Sequence, residues 1–225
     1  PVVLRPYSNY KRCMRALFLR LKPFAICFLL LQTLVRITLF IRTWADIDHP
    51  LIYVPKAMAV GLWFDITTLS LVLLPLAIYW ALLPGRWHGN TFDIWLTRIA
   101  FGIFCFIFIF SAVSEHIFWD EFGVRFNFIA VDYLVYTNEV LGNIYESYPV
   151  IPLISGMLAV CALVTWMLRY RLVRIEEKLR FKKRMVAFAG CALIAFGLYS
   201  VTFLRYSEIS KNTYTNEIAA NGVYN

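Results

Sequence analysis

Four ionisable side chains stand inside stretches that are otherwise apolar: Arg36 in LVRITLF, Asp65 in LWFDITT, and the adjacent Glu115 and His116 in SAVSEHIF. A charge in such surroundings is costly and persists where it meets a partner or does a job. A guanidinium beside a carboxylate can do both: it neutralises the acid, and its planar fork also fits a phosphate. We take these four as candidates for contact with a lipid headgroup. Asp120, Glu121, Arg125, Asp132 and Glu139 follow in the same part of the chain, and we read them as a surface on which another domain docks. Acidic runs are common where a chain leaves a membrane, and no metal site is assigned to this one.

The elements that must position these groups are five apolar runs, about 23–41, 58–83, 94–113, 149–168 and 185–204. A helix of about 20 apolar residues spans a hydrocarbon core roughly 30 Å thick. Barrel strands would need a period of two, which these runs lack. The expected fold is an all-α membrane protein, with residues 1–204 as a five-helix transmembrane domain. Arg36 lies five residues before the end of the first run, about 8 Å deep at the helical rise of ~1.5 Å per residue. Asp65 enters from the same side on the second run, at a depth of roughly 10 Å by the same rise. The two charges can therefore pair at one level.

Composition agrees: 60% of residues are apolar and 16% charged, against about a quarter charged in soluble domains. The net charge of +8 is distributed unevenly. Fifteen basic residues flank one side of the spans and five the other. That asymmetry places the N-terminus in the cytoplasm and the C-terminus outside. It is a topology signal, and no nucleic-acid partner is expected. None of the five cysteines falls in an external connection, so they are read as small apolar packers rather than disulfide partners. The seven tryptophans mostly lie near span ends, as an interfacial belt requires.

Between the third and fourth spans, Asp132, Tyr136, Glu139, Asn143 and Glu146 recur at helical spacing. This predicts an amphipathic interfacial helix over about 128–148. Ser155, Ala159 and Ala162 in the fourth span, with Ala187, Cys191 and Ala195 in the fifth, suggest the seam of a packed hairpin. The basic connection Arg169–Arg184 holds no Gly or Pro and is expected to extend the helices beside it. Residues 205–225 are too polar to re-enter lipid and read as an external linker.

Two external segments carry a resemblance. FWDEFGVRFNFIAVDYLVYTNEVLGNIYESYPV (Phe118–Val150) and NTYTNEIAANGVYN (Asn212–Asn225) resemble the membrane region of lipoteichoic-acid-synthase-like phosphoglycerol transferases, of the alkaline phosphatase/sulfatase superfamily. The five-span layout extends the resemblance over the whole chain, while its specific part covers about a fifth of the residues. The resemblance implies an anchor in a bacterial cytoplasmic membrane, joined through 205–225 to an external catalytic domain. That domain would use a hydroxyl nucleophile and a divalent metal such as manganese to take the headgroup of phosphatidylglycerol. No catalytic residue of that kind can be assigned within this sequence. Thr213 and Thr215 have no carboxylate and His neighbours at metal-site spacing. Two alternatives stay open: the anchor of a phosphoethanolamine transferase, and a non-catalytic lipid-sensing or scaffold protein.

The orientation is directly testable. A thiol reagent that cannot cross the membrane should label a cysteine introduced at Asn143 and leave one at Lys178 unmodified; the reverse pattern would invert the assignment.

Overall fold

The computed structural model describes residues 5–47, 49–125, 142, 145–172, 180–205 and 212–221. Over these residues the protein is helical: α1 (Arg5–Arg42), α2 (Pro50–Val72), α3 (Leu74–Leu82), α4 (Thr91–Phe122), α5 (Val150–Leu168), α6 (Phe181–Arg205) and the short α7 (Thr213–Ala219), with a single 3-10 turn at Trp44–Asp46. Five helical stretches are long and apolar enough to cross a membrane: Cys13–Arg42, Pro50–Leu82, Thr91–Phe122, Val150–Leu168 and Phe181–Thr202. This is the pattern of a multi-pass membrane protein.

Local chemistry sets the boundaries. Pro50 opens α2, where a residue without an N–H costs nothing because the first turn has no acceptor for it. Pro75 lacks the N–H that the Leu71 carbonyl would receive, and its ring crowds that carbonyl. The second span therefore breaks at Leu73 into α2 and α3. Asn90 starts α4 by accepting the Thr91 amide at 2.7 Å. Gly123 ends it in a left-handed conformation, φ 66°, donating its amide to the Trp119 carbonyl. A side chain at that φ would be strained.

The helices outrun the apolar runs. The third apolar run stops near Val113, yet α4 continues to Phe122 and carries Glu115, His116, Asp120 and Glu121 on the helix rather than on a loop. Lipid contact is not what sustains a helix; the backbone ladder runs on until a residue such as Gly123 breaks it. At the other end of the bundle α5 stops at Leu168, while α6 begins at Phe181 inside the basic connection. The expected interfacial helix over 128–148 lies largely outside the described residues, and Asp132, Glu139 and Asn143 with it.

Laterally, α1 is the hub. It packs against α4 on one side and against α2, α3 and α6 on the other, while α5 packs against α4. The fourth and fifth spans therefore do not form the expected hairpin seam. Ser155, Ala159 and Ala162 are exposed; Met157 and Cys161 are the buried pair of α5. Ala187 and Ala195 are buried, but on the face of α6 that meets α2 and α3. Small residues permit close approach without choosing the partner.

The α1–α4 seam is aromatic. Phe24 meets Phe101 and Phe104 edge-to-face at 4.9 and 5.2 Å, and Phe28 meets Phe108 at 4.9 Å. Cys105, Cys161 and Leu69 complete the cluster. Among the described residues no disulfide joins the cysteines. Trp80 and Trp119 are buried packing residues rather than members of a belt, and Trp63 donates to Thr202 at 2.9 Å across the α2–α6 contact. Trp44, Trp87, Trp95 and Trp166 are exposed.

Candidate functional site

Arg36 sits on the last third of α1, and Asp65 on the middle of α2. The structure brings them together in a two-pronged pair, with Nη1 at 2.7 Å and Nη2 at 3.0 Å from the two carboxylate oxygens. Both side chains are buried. The pair is possible because of Gly61, one helical turn before Asp65. A Cβ there would overlap the Arg36 guanidinium, with Nη2 only 2.7 Å away. Gly61 is thus a notch in α2 across which the guanidinium lies flat.

A second buried pair sits beside it. Gly123 turns the chain back over the end of α4, and Arg125 donates through Nε to Glu115 of α4. Nη2 of Arg125 reaches the amide oxygen of Gln32 at 3.4 Å, one turn before Arg36 on α1. Two arginines and two carboxylates therefore share the mouth of the bundle, with their charges balanced.

The two guanidiniums converge on one object, the C-terminal end of α7. Arg36 donates to the Ile218 carbonyl at 3.1 Å and to that of Ala220 at 3.4 Å. Arg125 donates to the same two carbonyls, to Ile218 at 3.3 Å. Carbonyls in the last turn of a helix have no helical donor and carry the negative end of its dipole. Cations belong there. Asn221 then donates to Asp65 at 2.6 Å, and the Arg125 amide donates to Glu217 at 3.3 Å. At its other end α7 is capped by Asn212, which accepts the Thr215 amide and donates to the Asp46 carbonyl at 2.9 Å. Residues 212–221, read from the sequence as a linker, thus include a helix whose Thr215, Ile218 and Ala219 are buried against the mouth.

The remaining candidates divide. His116 turns away from the cluster: one ring nitrogen donates to the Ala112 carbonyl at 2.8 Å, and the other lies 2.6 Å from the Thr38 hydroxyl. Asp120 pairs with Arg42 at 2.6 Å, both well exposed, and Glu121 is exposed. Arg125 does bind an external segment, as a docking residue would, but it is fully buried and that segment is α7. Arg36 is likewise covered by α7 and only 1% exposed, so a lipid headgroup reaches it only if α7 moves. Among the described residues, no group of three or more His, Cys, Asp or Glu side chains could hold a metal ion. Sequence reasoning missed Gln32, Gly61 and Asn221. The first two had a signal, since each lies one turn before a member of the Arg36–Asp65 pair.

A second polar cluster occupies the basic end. Arg20 lies 16 residues before Arg36 on α1, ~24 Å along the helix. It pairs with buried Asp93, which also accepts from Tyr79 at 3.0 Å and from the Gly89 amide at 2.9 Å. Beside it Arg184 of α6 donates to the carbonyls of Trp80 and Leu83 at the end of α3, and to Nε2 of His88. Arginine only donates, so Nε2 of His88 is the bare, accepting nitrogen. Burial, then the adjacent Arg184 charge, hold His88 below its ordinary range.

No family model matches the chain, and no curated protein or solved structure matches it either.

Three outcomes follow. Asp65→Asn leaves Arg36 buried without its counter-ion and should cost about 3–5 kcal/mol, whereas replacing both (Arg36→Met with Asp65→Leu) should recover much of the loss. Gly61→Ala should destabilise by evicting Arg36, so its effect should largely vanish in an Arg36→Met background. Denaturation of the purified protein in detergent measures both. The third concerns His88. Its folded value is depressed, so between that value and the ordinary 6.5 the unfolded chain binds more protons. Its contribution is fully present above pH 6.5 and is lost as pH falls through the depressed value. His88→Gln should flatten the acid limb of a stability–pH profile, and an unchanged limb would refute the role.

Proposed function

We propose that this chain is the membrane anchor and lipid-access part of a lipid-headgroup transferase, most specifically for phosphoglycerol. It would act at the outer leaflet of a bacterial cytoplasmic membrane, with its N-terminus cytoplasmic. One observation carries the reading: two buried guanidiniums, held in place by carboxylates, converge on two carbonyl oxygens of a single short helix. Those oxygens occupy the positions that phosphate oxygens would take. Withdrawal of α7 would open donors already oriented for a phosphate, at the end of the bundle with fewer basic residues. The arrangement offers binding and orientation. Transfer would belong to a catalytic domain with a hydroxyl nucleophile and a divalent metal such as manganese, joined through residues 205–225. This part of the reading rests on the family resemblance of the external segments.

A specific observation also favours a scaffold. With α7 seated, the four charges satisfy one another and the helix end, which is a complete structural role in itself.

Lipid cross-linking separates the two. Ile218 is fully buried, so Ile218→Asp should unseat α7 while leaving Arg36 and Arg125 intact. In nanodiscs containing photoactivatable phosphatidylglycerol, this variant should gain cross-links on peptides around Arg36 and Arg125. A phosphatidylcholine probe should show no such gain, and a phosphatidylethanolamine probe tests the alternative donor. Loss of stability with no headgroup-selective cross-link would leave the scaffold reading standing.

A further inference from the structure

At the basic end of the bundle, away from the mouth, a cleft of about 440 Å³ opens between α1 and the end of α5. Leu19, Lys22, Pro23 and Ile26 of α1 form one wall and Leu168 and Arg171 the other. The α1 residues recur at three- and four-residue spacing and so share one helix face. Three features distinguish the cleft from an ordinary interhelical gap.

First, its two cations are uncommitted among the described residues. Several arginines at this end have partners: Arg20 holds Asp93, Arg184 holds His88 and the end of α3, and Arg98 reaches the Arg169 carbonyl. Arg169 lies over the rings of Trp166 and Tyr170. Lys22 and Arg171 are exposed and enter none of the ion pairs. Second, the floor beneath them is apolar, built of Leu19, Ile26 and Leu168. Third, Pro23 has no N–H to give the Leu19 carbonyl, so an acceptor is left on the wall beside the cations.

We propose that this cleft binds an anionic phospholipid, with the phosphate between Lys22 and Arg171 and the first part of an acyl chain along Leu19, Ile26 and Leu168. A free anion would have no use for the apolar floor, and a zwitterionic lipid would set its own cation against two others. The volume suits a headgroup and the start of a chain. A headgroup bearing hydroxyls would also find the Leu19 carbonyl. This site is independent of the mouth and of the transferase reading.

The test uses the full chain purified in detergent with equal amounts of phosphatidylglycerol and phosphatidylcholine, and counts bound lipids by native mass spectrometry. Each basic residue near an anionic headgroup is worth roughly fivefold in binding, so Lys22→Gln with Arg171→Gln should lower phosphatidylglycerol enrichment by roughly 25-fold. Lys182→Gln with Lys183→Gln removes the same charge from the same end and should leave the enrichment in place. Equal loss in both pairs would mean diffuse attraction and overturn the site, as would no loss in the first pair. Leu168→Trp fills the floor and spares both charges. It should also expel the lipid, and it decides the matter if the double variant does not fold; retained phosphatidylglycerol would overturn the proposal.

Discussion

A guanidinium laid on the open carbonyls of a helix C-terminus is the contact on which both ends of this bundle depend. At the mouth, Arg36 and Arg125 close the end of α7; at the basic end, Arg184 closes the end of α3. The physical reason is common to both. A helix end buried away from water leaves acceptors that nothing in its own ladder can satisfy. Arginine supplies several fixed donors and a charge of the right sign for the dipole. The charge then needs an acid, which Asp65 and Glu115 provide at the mouth. At the basic end Nε2 of His88 also accepts from Arg184.

Between these polar layers the bundle is held by shape. Lipid tails are as apolar as leucine, so helices gain little by hiding leucine from them. What the α1–α4 seam offers is edge-to-face contact among phenylalanines and close approach around Cys105 and Cys161. Leu30, Ile41, Leu158 and Leu193 meanwhile point outward. Large aliphatics on the outside cost nothing in a solvent that is itself hydrocarbon.

The spans were legible in the sequence because composition alone requires them. The meeting of Arg36 with Asp65 was legible too, since helical rise fixes depth and both charges enter from the same side. Other features lacked any such ruler. Arg125 lies in a connection, and only the backward turn at Gly123 carries it to Glu115, ten residues earlier. The seven residues of α7 are too few for periodicity to show. It is held by its own carbonyls, which every residue possesses and no sequence pattern marks. Helix ends were misplaced for a related reason: the apolar run reports the lipid boundary, whereas hydrogen bonding decides where the helix stops. The small residues of the fourth and fifth spans announced close packing and said nothing about the partner.

The shared clamp at the mouth also imposes a calendar on biogenesis. Arg36 emerges from the ribosome before any acid that can neutralise it, and Asp65 arrives only with the second span. Glu115 then waits ten residues for Arg125, and the carbonyls that complete both arginines arrive last, 182 residues after Arg36. Early spans must therefore be held in a half-solvated state, at the edge of the insertion machinery or hydrated from the mouth, until α7 closes over them. Residues that follow all five spans would be the ones that seal the first.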